Sequence, residues 1–520
     1  MFLSPRRRPR AALLASVLTV ALAAPAGAQT VTPAQADDLA KQLRGWLSGL
    51  VDNRLPIPPD ALRVAPAGAN YRISVPLPLP LLDMQDASGG KLDSLFSLDV
   101  APIDGGKWRI VGMAVPASLR LSRDGSAMLG GLTGAGGGAA RPGQTPAGPE
   151  LEMKVRAQTA SGVFDPSQAS ESRLEYKVEG LTYSARNLTG KAENAAVAVD
   201  TYLTTLTTRP NGGGLDIMVN LALDGYRQTG EDRELGPYRV AMRRITGQYE
   251  LGGLMTGQLT GIIRTAVNLG MDSQAALAAP GAPEEKRVKG EAAAREGARK
   301  IIGLLTGMLR GLSTQAVAEG IDIEIMGQKG GAGKFLIGWG GEAPAEKLKA
   351  FLEFGLDGLK VEALPPQYQD LLPRSIAFRP SVGNIDVKAL TDLAREAAAD
   401  GADSAALERK LQTLLTSTGI EVGLDRLRID LGIAQLDAKM AATIVGPMQA
   451  KGEGEIGITG YDALMEKVSK LPEGAQALPV LALLGGLSKT EGNRKVWRLA
   501  LTPDNKMTVN GMDISKIAGN

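Results

Sequence analysis

Leu215-Asp216-Ile217-Met218-Val219-Asn220-Leu221-Ala222-Leu223 sets a branched apolar residue at every second position for nine residues, with mostly polar or small residues between. Successive side chains of a strand point to opposite faces, so this period of two describes an antiparallel strand with one face in a core and the other in water. Leu174, Tyr176 and Val178 repeat the pattern upstream. Earlier still, NYRISV (70–75), SLFSLDV (94–100), KWRIVGMAV (107–115) and SLRLS (118–122) are short β runs divided by Gly and Pro. Downstream, Ile321, Ile323 and Ile325 mark a strand with Lys334 to Trp339 as its hairpin partner. Leu427, Ile429, Leu431 and Ile433 open a strand series that continues to Ile458, and 495–514 reads as a closing hairpin.

Helical spacing is inserted between these runs. Thr32-Pro33-Ala34-Gln35 supplies a cap, a first-turn proline and a capping-box Gln, followed by Leu39, Leu43, Trp46, Leu47 and Leu50 along one face. We take this as a core-docking helix, and Leu39, Leu43, Trp46 and Leu50 as the residues of a candidate interaction helix if it faces a partner instead. Further helices are expected over Met255–Met271, about Glu291 to Ala318, Asp386–Ala399, Asp403–Thr416, Tyr461–Leu471 and the apolar ALPVLALLGGL (477–487). Strands in runs with helices between them indicate an α+β fold of extended curved antiparallel β-sheets with inserted amphipathic helices.

In Val75-Pro76-Leu77-Pro78-Leu79-Pro80 the prolines remove every N–H donor along one edge, which reads as a protected edge strand. Residues 125–148 hold nine glycines in 24 positions, a linker or long loop. The expected organisation is a signal peptide (1–28), an N-terminal helix and β region (29–124), the Gly-rich linker or loop (125–149), a β-rich region (150–271), a mobile connection (272–290) and a C-terminal α+β region (291–520).

The 520 residues include neither His nor Cys, with 44% hydrophobic, 22% charged and only 4% aromatic residues. No imidazole base, thiol nucleophile, disulfide or thiolate metal site is open to such a chain. The N-terminus joins Arg6, Arg7, Arg8 and Arg10 to an apolar run from Ala11 to Ala24 and a small-residue cleavage site at Ala26 and Ala28, the pattern of a secretory signal peptide. Its removal takes the formal net charge from +2 to −2. That leaves no cationic footprint for nucleic acid and, with no later apolar stretch of spanning length, no transmembrane segment after cleavage.

Other motifs fail on context. Gly327–Phe335 (GQKGGAGKF) has Gln328 where a phosphate loop needs its first Gly and Phe335 where it needs Ser or Thr. Ser88-Gly89-Gly90-Lys91 matches Ser-x-x-Lys without companion motifs. Asp322 with Glu324, and Glu453 with Glu455, are explained as the wet sides of strands. The tryptophans at 46, 108, 339 and 497 sit in apolar patterns and are expected in the core. Catalytic residues, metal ligands and cofactors are therefore expected to be none.

The last eighty residues carry Ala442, Thr443 and Val445, then GEGEIGITG (452–460), the helix YDALMEKV (461–468), ALPVLALLGGL, WRLAL (497–501) and MTVNGM (507–512). This resembles the C-terminal part of an exported bacterial family, domain of unknown function 2125, and more loosely the AsmA-like envelope proteins. The resemblance implies an envelope location, a β-rich body and, from the AsmA-like side, lipid handling; it brings no catalytic residues. The expectation is a non-enzymatic periplasmic protein presenting an apolar sheet face to lipid or another cell-envelope component. The alternatives are a structural or adaptor protein acting through protein–protein contacts and a His-free hydrolase.

Overall fold

The computed structural model describes residues 31–49, 62–76, 84–85, 94–103, 107–121, 150–164, 172–186, 194–212, 214–232, 236–255, 257–262, 264–265, 284–305, 308, 310–343, 347–399, 403–446, 449–504 and 506–514. The signal segment with Ala26 and Ala28, Leu50, Pro78, Pro80, Ser88–Lys91 and the Gly-rich run lie outside them. Antiparallel sheet dominates, with helices set between the strands. The chain divides into two compact units. The first is Met1–Gln248, Gly253–Asn268 and Ile323–Gly327; the second is Tyr249–Gly252, Leu269–Asp322 and Gln328–Asn520.

The first unit begins with α1 (Pro33–Gly49). The expected cap forms: Thr32 Oγ1 accepts the Gln35 N–H at 3.3 Å. Strands β1 (Arg63–Ala67), β2 (Asn70–Pro76), β3 (Met84–Gln85), β4 (Ser94–Ile103), β5 (Lys107–Ala114), β6 (Ser118–Leu121), β7 (Glu150–Lys154), β8 (Ala157–Phe164), β9 (Ser172–Arg186), β10 (Asn194–Asn211), β11 (Gly214–Asp232) and β12 (Gly236–Leu254) follow. The long strand β9 is the spine. One of its edges takes β8 along Arg173–Glu179 and β7 along Thr182–Arg186, and the other takes β10. From β8 the sheet continues through β5, β4, β2 and β1; from β7 it continues through β6 and β3. The alternating run that opened the sequence is the core of β11, hydrogen-bonded to β10 from Asn211↔Gly214 to Ala195↔Gly230.

Register decides the core. Tyr71 and Ile73 stand opposite Val100 and Leu98, Val100 opposite Ile110, and Ala160 opposite Tyr176. These side chains share one face, and Ala36, Leu39 and Leu43 of α1 close over it. The Tyr71 hydroxyl donates to Gln35 Oε1 at 2.7 Å and ties helix to sheet, while Tyr71 and Trp108 meet edge to face at 6.0 Å. Burial pushes the Tyr176 phenol up to about 12. Burying each large side chain here contributes about 1.5–3 kcal/mol.

Of the proline run expected as a protected edge strand only Val75 and Pro76 are described; they pair with β4 alone, whereas Tyr71–Ser74 pair with both β1 and β4. The strands on either side of the Gly-rich run expected as a linker or loop, β6 and β7, pair directly from Ser118↔Lys154 to Leu121↔Leu151.

The second unit contains α2 (Glu284–Leu305), β13 (Gly311–Ile325), β14 (Gln328–Glu342), β15 (Lys347–Asp357), β16 (Lys360–Val361), β17 (Ser375–Asp386), α3 (Val387–Ala397), α4 (Ser404–Ser417) and β18 (Glu421–Asp430). It closes with β19 (Gln435–Gly446), β20 (Gln449–Thr459), α5 (Tyr461–Ser469), α6 (Gly474–Leu487), β21 (Lys489–Glu491), β22 (Arg494–Leu501), β23 (Met507–Val509) and β24 (Met512–Asp513). Gly327 aside, the Gly-rich GQKGGAGKF is strand. A Cβ on Gly331 would fall 2.2 Å from the Ile321 carbonyl oxygen, so glycine there serves the close approach of β13 and β14. Helix α2 starts at Glu284 and ends at Leu305. The expected connection at 272–290 is therefore helical from 284 onward, and the stretch 311–318, expected as helix, is strand.

Candidate functional site

In the second unit the sheet order is β14, β15, β17, β18, β19, β20, β22, antiparallel throughout. Phe335, Ile337 and Trp339 stand opposite Leu356, Phe354 and Leu352. Leu356 and Phe354 stand opposite Ile376 and Phe378, which face Ile429 and Leu427 in turn. Beyond irregularities at Arg379/Pro380 and Leu424/Leu427, Pro380 meets Leu424 and Val382 meets Val422. The row continues through Leu436, Ala438 and Met440 to Ile458 and Ile456, and ends at Trp497. One face of seven strands is thus apolar. Its bulges bend the strands that carry them.

The opposite face is charged. Arg379 reaches Glu353 at 3.5 Å and Asp425 at 3.8 Å, and lies 4.0 Å over the Phe351 ring. Arg426 reaches Glu353 at 4.0 Å, and Arg494 reaches Glu455 at 2.9 Å. These pairs are part-exposed and each contributes about 1 kcal/mol or less; they mark the charged side of the sheet.

An apolar face opposite a wet one calls for a cover, and only part of it has one. At the β20–β22 end, α5 and α6 close over Trp497: Tyr461, Trp497 and Val509 are buried, with Ile456, Ile458, Met465 and Leu487 against them. Burial pushes the Tyr461 phenol up. From β14 to β18, none of the large apolar side chains on the face is buried, and Ile337, Trp339, Leu352, Phe378 and Val422 are 37% to 49% exposed. Scattered exposed leucines are ordinary on any protein surface, whereas adjacent cross-strand partners such as Trp339 and Leu352 form a patch. Leu390 of α3 and Leu411 and Leu415 of α4 are exposed as well. The two helices start where Asp386 accepts the Ala389 N–H at 2.9 Å and Asp403 accepts the Ala405 N–H at 2.9 Å. Lys410 joins them by its bonds to Glu396.

The first unit holds a separate cavity of about 420 Å³, floored by Ala196 and Ala198 and flanked by Lys154, Tyr183 and Arg227. Its cations are already engaged, Lys154 with Glu152 at 3.2 Å and Arg227 with Asp200. Among the described residues no group of three carboxylates gathers to hold a metal ion.

The residues singled out in advance lie elsewhere. Leu39 and Leu43 are buried in the first unit's core and cannot serve as a partner surface; Trp46 is in α1 with its side chain outside what is described. Trp108 and Trp497 are core residues as expected, but Trp339 is exposed. Glu455 is engaged by Arg494 and Arg498 rather than paired with another carboxylate for chemistry. Each strand run is legible in the sequence, whereas the register that stacks their apolar sides into the open patch is not.

The chain matches no protein-family model, none of the curated proteins and none of the solved structures at a significant level.

Proposed function

We propose that the protein is a non-enzymatic lipid binder of the cell envelope, exported to the periplasm, whose extended and curved second-unit sheet receives acyl chains on its apolar face. The observation that carries this reading is the stretch from β14 to β18, where large apolar side chains line up across strands and none of those described is buried. Acyl chains suit it better than a protein surface does. The register places the charge at the margins of that face, Lys360 opposite Gly331 and Lys495 opposite Ile458, so its middle offers no partner to a protein's polar groups. The uncovered stretch is three strand spacings of about 4.8 Å, roughly 14 Å across, on strands of ten residues or more that run roughly 34 Å, the direction in which an extended acyl chain would lie. The signal-like N-terminus and the C-terminal likeness to exported envelope families agree with this location. An adaptor role through α1 has no comparable support, because Leu39 and Leu43 are committed to the core.

The test is extraction of the natively purified protein with organic solvent and mass spectrometry of the extract, beside titration with a fluorescent fatty-acid probe. Co-purifying lipid and saturable probe binding are expected, and Leu352→Asp with Phe378→Asp weakens probe binding by about tenfold or more. A protein that yields no lipid and binds no probe, or whose probe binding ignores the double substitution, does not work this way.

A further inference from the structure

Helix α6 turns its apolar residues outward. Between Gly474 and Leu487 it carries no charged residue, and Gln476 is its one polar side chain. Its inner side is held through the backbone. Trp497 Nε1 donates to the Leu484 carbonyl at 2.8 Å, Asn510 Nδ2 to the Leu487 carbonyl at 2.8 Å, and the Tyr461 hydroxyl to the Leu481 carbonyl. Those carbonyls are three residues apart and so lie on one helical face. Gly485 permits the approach, since a Cβ there would stand 3.1 Å from the Tyr461 hydroxyl. Leu478, Leu481 and Gly485 are half-buried, whereas Val480 and Leu483 are more than half exposed and Leu484 is exposed as well. A helix that simply covers a core turns its apolar stripe inward; this one anchors by polar contacts and leaves an apolar crest in solvent.

The neighbouring charge narrows the occupant. The residues after α6 include Lys489, Arg494, Lys495 and Arg498 against Glu491 alone. Arg494 and Arg498 are engaged by Glu455 and Glu491, while Lys489 is exposed without an ion partner among the described residues and Lys495 bonds only the Thr490 hydroxyl. A second copy of the chain docked crest to crest would bring like charges together, whereas an anionic surface would not. At 1.5 Å per residue the 14-residue helix is about 21 Å long, short of the roughly 30 Å of a bilayer core, and no described helix is long and apolar enough to cross a membrane.

We propose that α6 is a bilayer-docking helix: it lies in the plane of an anionic membrane surface with Val480, Leu483 and Leu484 among the acyl chains and Lys489 and Lys495 at the phosphates. This goes beyond the lipid-binding reading and stands on separate residues. It adds where lipid would be exchanged, because α6 packs on Trp497, the end of the same sheet face.

The experiment is co-flotation of the purified full chain with vesicles of phosphatidylcholine alone and of phosphatidylcholine mixed with phosphatidylglycerol. The chain floats with the mixed vesicles and less so in high salt. Val480→Glu with Leu483→Glu weakens flotation by about tenfold or more at an unchanged thermal melt, since both side chains are exposed. Lys489→Glu with Lys495→Glu removes the preference for phosphatidylglycerol. The proposal is overturned if the parent chain does not float or if the glutamate pair floats as well as the parent. It is equally overturned if that pair instead abolishes a concentration-dependent dimer in the ultracentrifuge while vesicle binding is absent. Fatty-acid probe binding, measured without vesicles, responds to Leu352 and Phe378 and not to α6, so either reading can fail alone.

Discussion

The two units solve the same problem differently. Each builds an antiparallel sheet with one apolar face. In the first, α1 lies on that face, and Tyr71, Ile73, Leu98, Val100, Trp108 and Ile110 are at most 6% exposed. In the second, the residues in the corresponding role from β14 to β18 reach 49% exposure, and cover is confined to the Trp497 end. A binary apolar–polar pattern specifies a sheet with a dry side but does not say what dries it. In the first unit α1 covers the face at β2, β4 and β5, while Ile217, Val219, Leu221 and Leu223 of β11 stay half-buried; in the second the cover is, on our proposal, a ligand.

The largest expected effect separates the units by stability. Ile73→Ala, which opens a cavity in a fully covered core, lowers unfolding free energy by about 3–4 kcal/mol. Trp339→Ser, on the open face, costs about 1 kcal/mol, because half of that side chain is already in water. Urea unfolding with probes in each unit measures both, and equal losses would show that the second face is covered in solution. The next effect is ligand-borne. A fatty-acid probe at about a hundred times its dissociation constant raises stability by about 2.7 kcal/mol if it binds only the folded chain. That increment belongs to the second unit's transition and falls away in Trp339→Ser; a rise confined to the first unit would place the site in the wrong sheet.

Local signals were readable in advance, and long-range ones were not. Asp386 and Asp403 were expected to open helices and do cap Val387–Ala397 and Ser404–Ser417, because a cap is settled within three residues. The strand of Leu215 to Leu223 was equally plain from its period. The sequence STQAVAEG (313–320) is rich in helix formers yet lies in β13, where Gly338 and Gly340 of the neighbouring strand approach Thr314 and Leu312; pairing overrode propensity there. The open patch is the extreme case. Trp339, Leu352 and Phe378 come from three strands, and their adjacency exists only in the register between them.

The smallest effect tests whether coverage is the only difference between the units. Surface ion pairs occur in both and should behave alike. In the first, the Arg227 hydrogen bond holds the Asp200 carboxyl below its usual range. In the second, Asp504 is held down to about 2, chiefly by its bond from Lys506 and then by the Thr502 hydroxyl. A carboxyl whose folded pKa lies below its unfolded value of 3.8 contributes stability that is fully present above pH 4 and is lost as pH falls toward 2. Asp504→Asn therefore lowers the urea midpoint slightly at neutral pH, with the difference vanishing between about pH 4 and pH 2 and shrinking in high salt. Asp200→Asn shows the same sign over the acidic range. A pH-independent gap for either variant would mean that its carboxylate matters by shape and not by charge, and a gap in one unit alone would mean that the units differ in more than what covers their sheets.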